Sequence, residues 1–133
     1  MGMTSEDRQA LISYRMEKSA AVFVEAEDNA KLGHWTLVAN RLYYSVFYCT
    51  LALLVDKGFS AHTHAGVIHI LGKEFVLAGL LSPDDARLVS RLQNMRQSGD
   101  YDDMFDWTEE DVQPLIEPTR ALLEKMKGLL NNQ

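Results

Sequence analysis

Residues 35–57 read WTLVANRLYYSVFYCTLALLVDK and are followed by Gly58. Apolar side chains occur on almost every side of this stretch, which is typical of a helix at the centre of a bundle. A glycine directly after the last apolar turn is a common helix end, because it readily adopts the left-handed backbone that closes a helix. The stretch therefore predicts a buried central helix around which the other segments pack.

Helix start and stop signals divide the rest of the chain into further segments of helical periodicity. The predicted helices run from Thr4 to Gly33, Trp35 to Lys57, Thr63 to Ala78, Pro83 to Gly99, and onward from Thr108. Pro114 and Pro118 each remove a backbone donor, so the last helix either is kinked there or begins near Pro114. No strand-like alternation of useful length occurs. We expect one all-α domain over residues 1–133, an up-and-down bundle of four to five helices.

Composition limits the classes of protein to which this chain can belong. Its net charge of −6 argues against general adhesion to nucleic acid, although a local basic groove is compatible with it. No apolar run approaches the ~20 residues that span a bilayer, so we expect a soluble protein without a membrane partner. With Cys49 as the one cysteine, no intrachain disulfide can form, which fits a reducing cytoplasm.

Polar side chains recur at helical spacing inside the central helix. Asn40, Arg41, Tyr44 and Tyr48 share one face of it. In one interpretation the tyrosines are core aromatics with satisfied hydroxyls, and Arg41 extends outward to water. In the other, the face is one wall of a cleft whose second wall is the end of the fourth helix.

Arg96 falls on the apolar stripe of the fourth helix, together with Val89 and Leu92. A guanidinium on a buried face needs an acceptor. Asp100 is the nearest candidate, and Asp102 and Asp103 are further ones. Two interpretations stay open. Arg96 forms a structural ion pair that links the helix end to the bundle, or it belongs to a site that binds phosphate or ribose, for which arginine is well suited.

Three segments together resemble the HEPN (higher eukaryote and prokaryote nucleotide-binding) domains, in particular a branch of small stand-alone prokaryotic ones. They are Asn40-Arg41-x-Tyr43-Tyr44, His64-Ala65-Gly66-Val67 and Arg96-x-x-x-Asp100-Tyr101, and the resemblance runs from about Gly33 to Lys127. It implies a HEPN-like helical bundle and a partner, a minimal nucleotidyltransferase protein, in a toxin–antitoxin-like pair. It also implies a homodimer formed through the helices that carry the arginine motif.

The ribonucleases that this chain resembles carry a His a few positions after the motif arginine, where it moves protons at the ribose 2′-hydroxyl. In this chain Tyr101, Asp102 and Asp103 occupy those positions, and no His is available there. A tyrosine with a pKa near 10 is a poor base at neutral pH. We therefore expect a non-catalytic binding protein with nucleotide or RNA as candidate ligand. A metal-independent endoribonuclease using Arg96 and Tyr101 is the alternative, and a purely structural dimerisation module is a further one.

The expected binding residues are polar and lie in two of the three segments, the one that begins at Asn40 and the one that begins at Arg96. They are Arg96, Asp100, Tyr101, Asn40, Arg41 and Tyr44. No metal site and no cofactor are predicted, because the spacing of His64 and His69 does not put them on one helix face. For the homodimer, the expected contact residues are aromatic side chains taken to be exposed: Trp35, Tyr44, Tyr48 and Trp107.

Overall fold

The computed structural model describes residues 3–101 and 106–130, and for residues 100 and 101 it describes the backbone alone. Five α-helices make up most of these residues, and no strand occurs among them. They are α1 (Ser5–Lys31), α2 (Trp35–Lys57), α3 (His64–Ile70), α4 (Pro83–Tyr101) and α5 (Glu109–Lys127). The prediction of an all-α bundle is confirmed.

The central position predicted for α2 is also confirmed. This helix packs against α1, α4 and α5, and its side chains Leu42, Tyr43 and Leu53 are almost completely buried. It is long and apolar enough to cross a membrane by length and composition, with a mean hydropathy of 1.3 over its most apolar window. Because 61% of that window is buried inside the bundle, α2 fits the role of a core helix.

Three predicted helix ends coincide with glycines in the left-handed region. Gly33, Gly58 and Gly79 have φ values of 76°, 81° and 81°, a conformation that other residues rarely adopt. Gly79 lies beyond a π-helical extension of α3, Leu71–Val76, which continues α3 toward the predicted end of the third helix. These positions define the turns of the bundle.

Gly99 does not end α4, contrary to the prediction, because the helix continues through Tyr101. The reason for a glycine here is packing. A Cβ built at Gly99 would lie 2.9 Å from Cγ2 of Thr36 and 3.8 Å from the indole of Trp107. The missing side chain therefore lets the end of α4 approach the first turn of α2.

The last helix begins at Glu109, so the alternative that it begins near Pro114 is wrong. Thr108 and Asp111 form a capping box that fixes this start, with the Thr108 hydroxyl 2.9 Å from the Asp111 carboxylate. Pro114 and Pro118 are tolerated inside the helix because both are exposed, where water can bond the carbonyls that lose a donor.

Candidate functional site

The site begins with the aromatic rings of α2. Tyr43, Tyr44 and Phe47 lie on adjoining positions of the helix, and Tyr43 contacts the other two at centroid distances of 5.1 and 5.8 Å. Tyr43 is 1% exposed, whereas Tyr44 and Phe47 are half-buried. The rings thus form a wall that is buried on one side and open on the other.

Arg96 extends from α4 onto this wall. Its side chain is buried, with 7% of the residue exposed, as its place on the apolar stripe predicts. The guanidinium carbon lies 5.1 Å from the ring centroid of Tyr43 and 5.8 Å from that of Tyr44. Aromatic faces attract a cation more strongly when water is excluded. The two rings therefore hold a positive charge in an interior position.

His64 reaches the same wall from the start of α3. Its Nδ1 lies 2.6 Å from the Tyr43 hydroxyl, and its ring stacks on Phe47 with centroids 4.3 Å apart and an interplanar angle of 11°. Thr63 caps the helix directly before it, accepting a hydrogen bond from Gly66 N at 2.9 Å. The segment that resembled the HEPN branch therefore places an imidazole in the site.

The positions that follow Arg96 hold no histidine, as the sequence shows, but the fold brings one to the site from elsewhere in the chain. The imidazole comes from α3 and not from the positions that follow Arg96. Sequence reasoning noted His64 within a motif but did not include it among the site residues, because only the packing of α3 on α2 brings it to Tyr43. Tyr43 was missed for a similar reason: a buried tyrosine in a central helix reads as a core residue.

The electrostatics of the cluster favour two neutral groups beside one charged group. Burial, together with the positive charge of Arg96, lowers the pKa of His64 below its usual value. Burial raises the pKa of Tyr43 to about 12, although Arg96 acts in the opposite direction. At neutral pH the site therefore contains a neutral imidazole, a protonated phenol and a permanent cation.

Arg41 and Asn40 extend the site along α2. Arg41 donates from Nε and Nη2 to Oδ1 of Asn40, at 2.9 and 2.6 Å, and pairs with Glu25 of α1 at 3.1 Å. Its guanidinium carbon also lies 5.5 Å from the ring centroid of Tyr44. Tyr44 is therefore contacted by Arg41 and Arg96 alike. The structure brings four of the predicted binding residues together: Arg96, Tyr44, Arg41 and Asn40.

The other two predicted residues, Asp100 and Tyr101, have side chains outside the described residues, as do Asp102 and Asp103. A cleft of about 690 Å³ borders Asn40, lined also by Trp35, Thr36 and Trp107. Thr36 fixes its rim, since its hydroxyl accepts a hydrogen bond from Trp107 N at 2.8 Å. The cleft is lined by the first turn of α2 and by Asp106 and Trp107, which precede the last helix.

Metal and thiol chemistry find no support in the part of the chain that the structure describes. No group of three His, Cys, Asp or Glu side chains there could hold a metal ion. Cys49 is fully buried, and burial raises the pKa of its thiol to about 12, which leaves it unreactive. The arrangement is suited to binding an anion through Arg96, with His64 and Tyr43 as neutral hydrogen-bonding groups.

Comparison with known proteins identifies a family whose helical fold agrees with this structure. The profile of the HEPN domain family matches residues 12–129. A UPF0332 protein of Thermotoga maritima is 27% identical over 126 residues, which cover 95% of this chain and 96% of that protein. Two Methanocaldococcus jannaschii proteins, named "Putative toxin MJ0142" and "Putative toxin MJ0605", are each 29% identical. The two alignments cover 86% and 94% of this chain, and 78% and 90% of the respective relatives.

Proposed function

Because this chain belongs to the HEPN domain family, we propose that it acts as one member of a toxin–antitoxin-like pair of proteins. The two relatives named as toxins support the proposal, because each aligns with most of this chain. The partner that fits is a minimal nucleotidyltransferase protein, the usual companion of the small HEPN proteins that this sequence resembles. Within the pair, this chain is the binding component.

The ligand that the site fits best carries a phosphate, either in a nucleotide or in RNA. One observation carries this proposal: Arg96 is buried on the faces of two tyrosines, beside an imidazole that bonds one of them. A fixed guanidinium in a water-poor site is an effective phosphate-binding group. The net charge of −6 makes broad binding to nucleic acid unfavourable, so recognition at one site suits this chain better.

A growth and capture experiment tests the pair. The chain is expressed in a bacterial host alone and together with a candidate minimal nucleotidyltransferase from the same organism. We expect the two proteins to co-purify, and we expect growth with both to differ from growth with either one alone. Arg96→Gln should abolish the growth effect, whereas Arg91→Gln, on the exposed face of the same helix, should preserve it. The proposal is refuted if the wild-type proteins do not associate and also do not alter growth.

A metal-independent endoribonuclease is a second candidate, because His64 supplies the imidazole that the arginine motif lacks. We nevertheless expect the purified chain to leave single-stranded and structured RNA intact in the presence of EDTA. The histidine of the ribonucleases that this chain resembles follows the motif arginine, whereas Tyr43 and Phe47 fix His64 at a different place, at the start of α3. Gel analysis of labelled RNA decides the question. Cleavage that is lost in both Arg96→Ala and His64→Ala, but retained in His62→Ala, would establish the enzyme.

A ribonuclease could instead use Arg96 with Tyr101, the pair that the sequence suggests. Tyr101→Phe distinguishes the two versions, because it removes the hydroxyl of Tyr101 and leaves His64 unchanged. Activity that disappears in Tyr101→Phe and persists in His64→Ala would favour the pair Arg96 and Tyr101.

A further inference from the structure

His64 and Arg96 contact the same pair of tyrosines from two different helices. Arg96 lies over the face of Tyr43, and the Tyr43 hydroxyl is 2.6 Å from Nδ1 of His64. Tyr44 likewise lies near both, 5.8 Å from the guanidinium carbon and 6.0 Å from the imidazole centroid. The two basic side chains are therefore arranged around one aromatic pair.

We propose that His64 is the second phosphate-binding group of this site, and that it takes up a proton when a phosphate-bearing ligand binds beside Arg96. The inference rests on the proposed function and adds to it a residue, a protonation step and a pH dependence. The shared chemistry is a phosphate group, whether it belongs to a free nucleotide or to an RNA strand.

The geometry leaves one nitrogen of His64 for a ligand. Nδ1 is bonded to the Tyr43 hydroxyl, and stacking on Phe47 fixes the plane of the ring. His64 is half-buried, and Nε2 is the ring nitrogen that the bond to Tyr43 leaves for a ligand. A phenol hydroxyl can donate or accept, so the bond to Tyr43 is compatible with both the neutral imidazole and the imidazolium. Tyr43 is thus a positioning residue for His64.

The charges of the site explain why the proton would arrive with the ligand. Of the described groups that face His64, Tyr43 on α2 stays neutral because burial raises its pKa to about 12, Tyr44 on α2 presents a second phenol ring, and Arg96 on α4 is cationic. Arg96 and burial lower the pKa of His64 in the empty site. A bound phosphate offsets the charge of Arg96 and accepts a hydrogen bond from the imidazolium, so both effects raise the pKa of His64.

Titration calorimetry with ATP, and separately with a short single-stranded RNA, tests the inference on the full chain. Runs at one pH in buffers of different ionisation enthalpy measure the protons taken up on binding. We expect uptake near neutral pH and tighter binding as the pH falls toward the pKa of the empty-site histidine. His64→Gln should weaken binding by about tenfold or more, as expected for loss of a charge-assisted hydrogen bond, and should abolish the uptake.

His62→Gln is the matched control, since His62 lies two positions earlier and is exposed. It should bind like wild type. Tyr43→Phe keeps the aromatic ring but removes the hydroxyl that positions His64, so it should reduce both affinity and proton uptake. The arm that binds, ATP or RNA, identifies the source of the phosphate.

The outcomes separate this inference from the function on which it rests. If wild type binds neither ATP nor RNA, phosphate binding at the site is refuted, and the inference with it. If wild type binds and His64→Gln binds equally well with the same proton uptake, the inference alone is wrong. Should His64→Gln fail to fold, NMR titration of the wild-type imidazole decides: a ligand-induced rise in its pKa supports the inference, and an unchanged pKa overturns it.

Discussion

Arg96 shows how far periodicity predicts the environment of a single residue. Its spacing from Val89 and Leu92 predicts an inward side chain, and the structure buries it. The contacts described for Arg96 are with aromatic faces, because its guanidinium lies over the rings of Tyr43 and Tyr44. The predicted pairing with Asp100 stays a prediction. Helical spacing specifies which way a side chain points, but not which atoms it meets.

The contact between Arg96 and Tyr44 can be measured by a double-mutant cycle. Arg96→Ala and Tyr44→Leu should each lower the free energy of unfolding, and the double variant should lose less than the sum. We expect a coupling of about 1–2 kcal/mol, as for a cation on an aromatic face from which water is largely excluded. Denaturant melts provide the four free energies.

Arg91→Ala is the control for this cycle, since Arg91 is exposed on the same helix. It should change stability by less than about 0.5 kcal/mol and should show no coupling to Tyr44→Leu. If Arg96→Ala and Tyr44→Leu lower the free energy of unfolding by strictly additive amounts, the contact between the guanidinium and the ring contributes nothing to stability.

At the scale of the helices, Gly99 and Gly58 show why similar residues require different explanations. Both follow an apolar helical segment, and from sequence each predicts a helix end. Gly58 has the left-handed backbone expected of an end, whereas Gly99 lies within α4 at a close approach to Thr36. Local patterns predict helix ends set by the backbone. They do not predict contacts between helices that are distant in sequence.

Gly99→Ala should therefore destabilise the protein although alanine favours helices. The new Cβ would lie 2.9 Å from Cγ2 of Thr36, and overpacking of this kind typically costs about 1–3 kcal/mol. Thr36→Ser should rescue the variant, because serine removes Cγ2 and keeps the hydroxyl that bonds Trp107 N. Thermal and denaturant melts of the single and double variants measure the effect.

Gly72→Ala is the matched control for Gly99→Ala, because a Cβ at Gly72 would meet nothing within 4 Å. It should be neutral or stabilise the protein by up to about 1 kcal/mol. Equal effects of the two alanine substitutions would contradict the close-packing explanation of Gly99.

At the scale of the whole molecule, apolar periodicity and helix caps were sufficient to predict the bundle and its central helix. The site was predicted only in part. Arg96, Tyr44, Arg41 and Asn40 lie together as expected, but the position of His64 depends on how α3 packs against α2. The aromatic side chains expected to be exposed are half-buried. Trp35, Tyr44 and Trp107 pack against the core, and Tyr48 contacts the rings of Tyr44 and Phe47.

This burial changes where a homodimer interface should lie, while the expectation of a twofold dimer stays a prediction. A groove of about 500 Å³ follows the outer face of α4, the helix that carries Arg96, and Ser90 and Asn94 line it.

Multi-angle light scattering at micromolar concentration should give twice the 15.1 kDa mass of one chain. Ser90→Arg should shift the population to monomer by introducing bulk and charge at the contact. Ala21→Arg, on the exposed face of α1, should leave the dimer intact. A monomeric wild type would rule out the dimer, and a dimer unaffected by Ser90→Arg would assign it to another face.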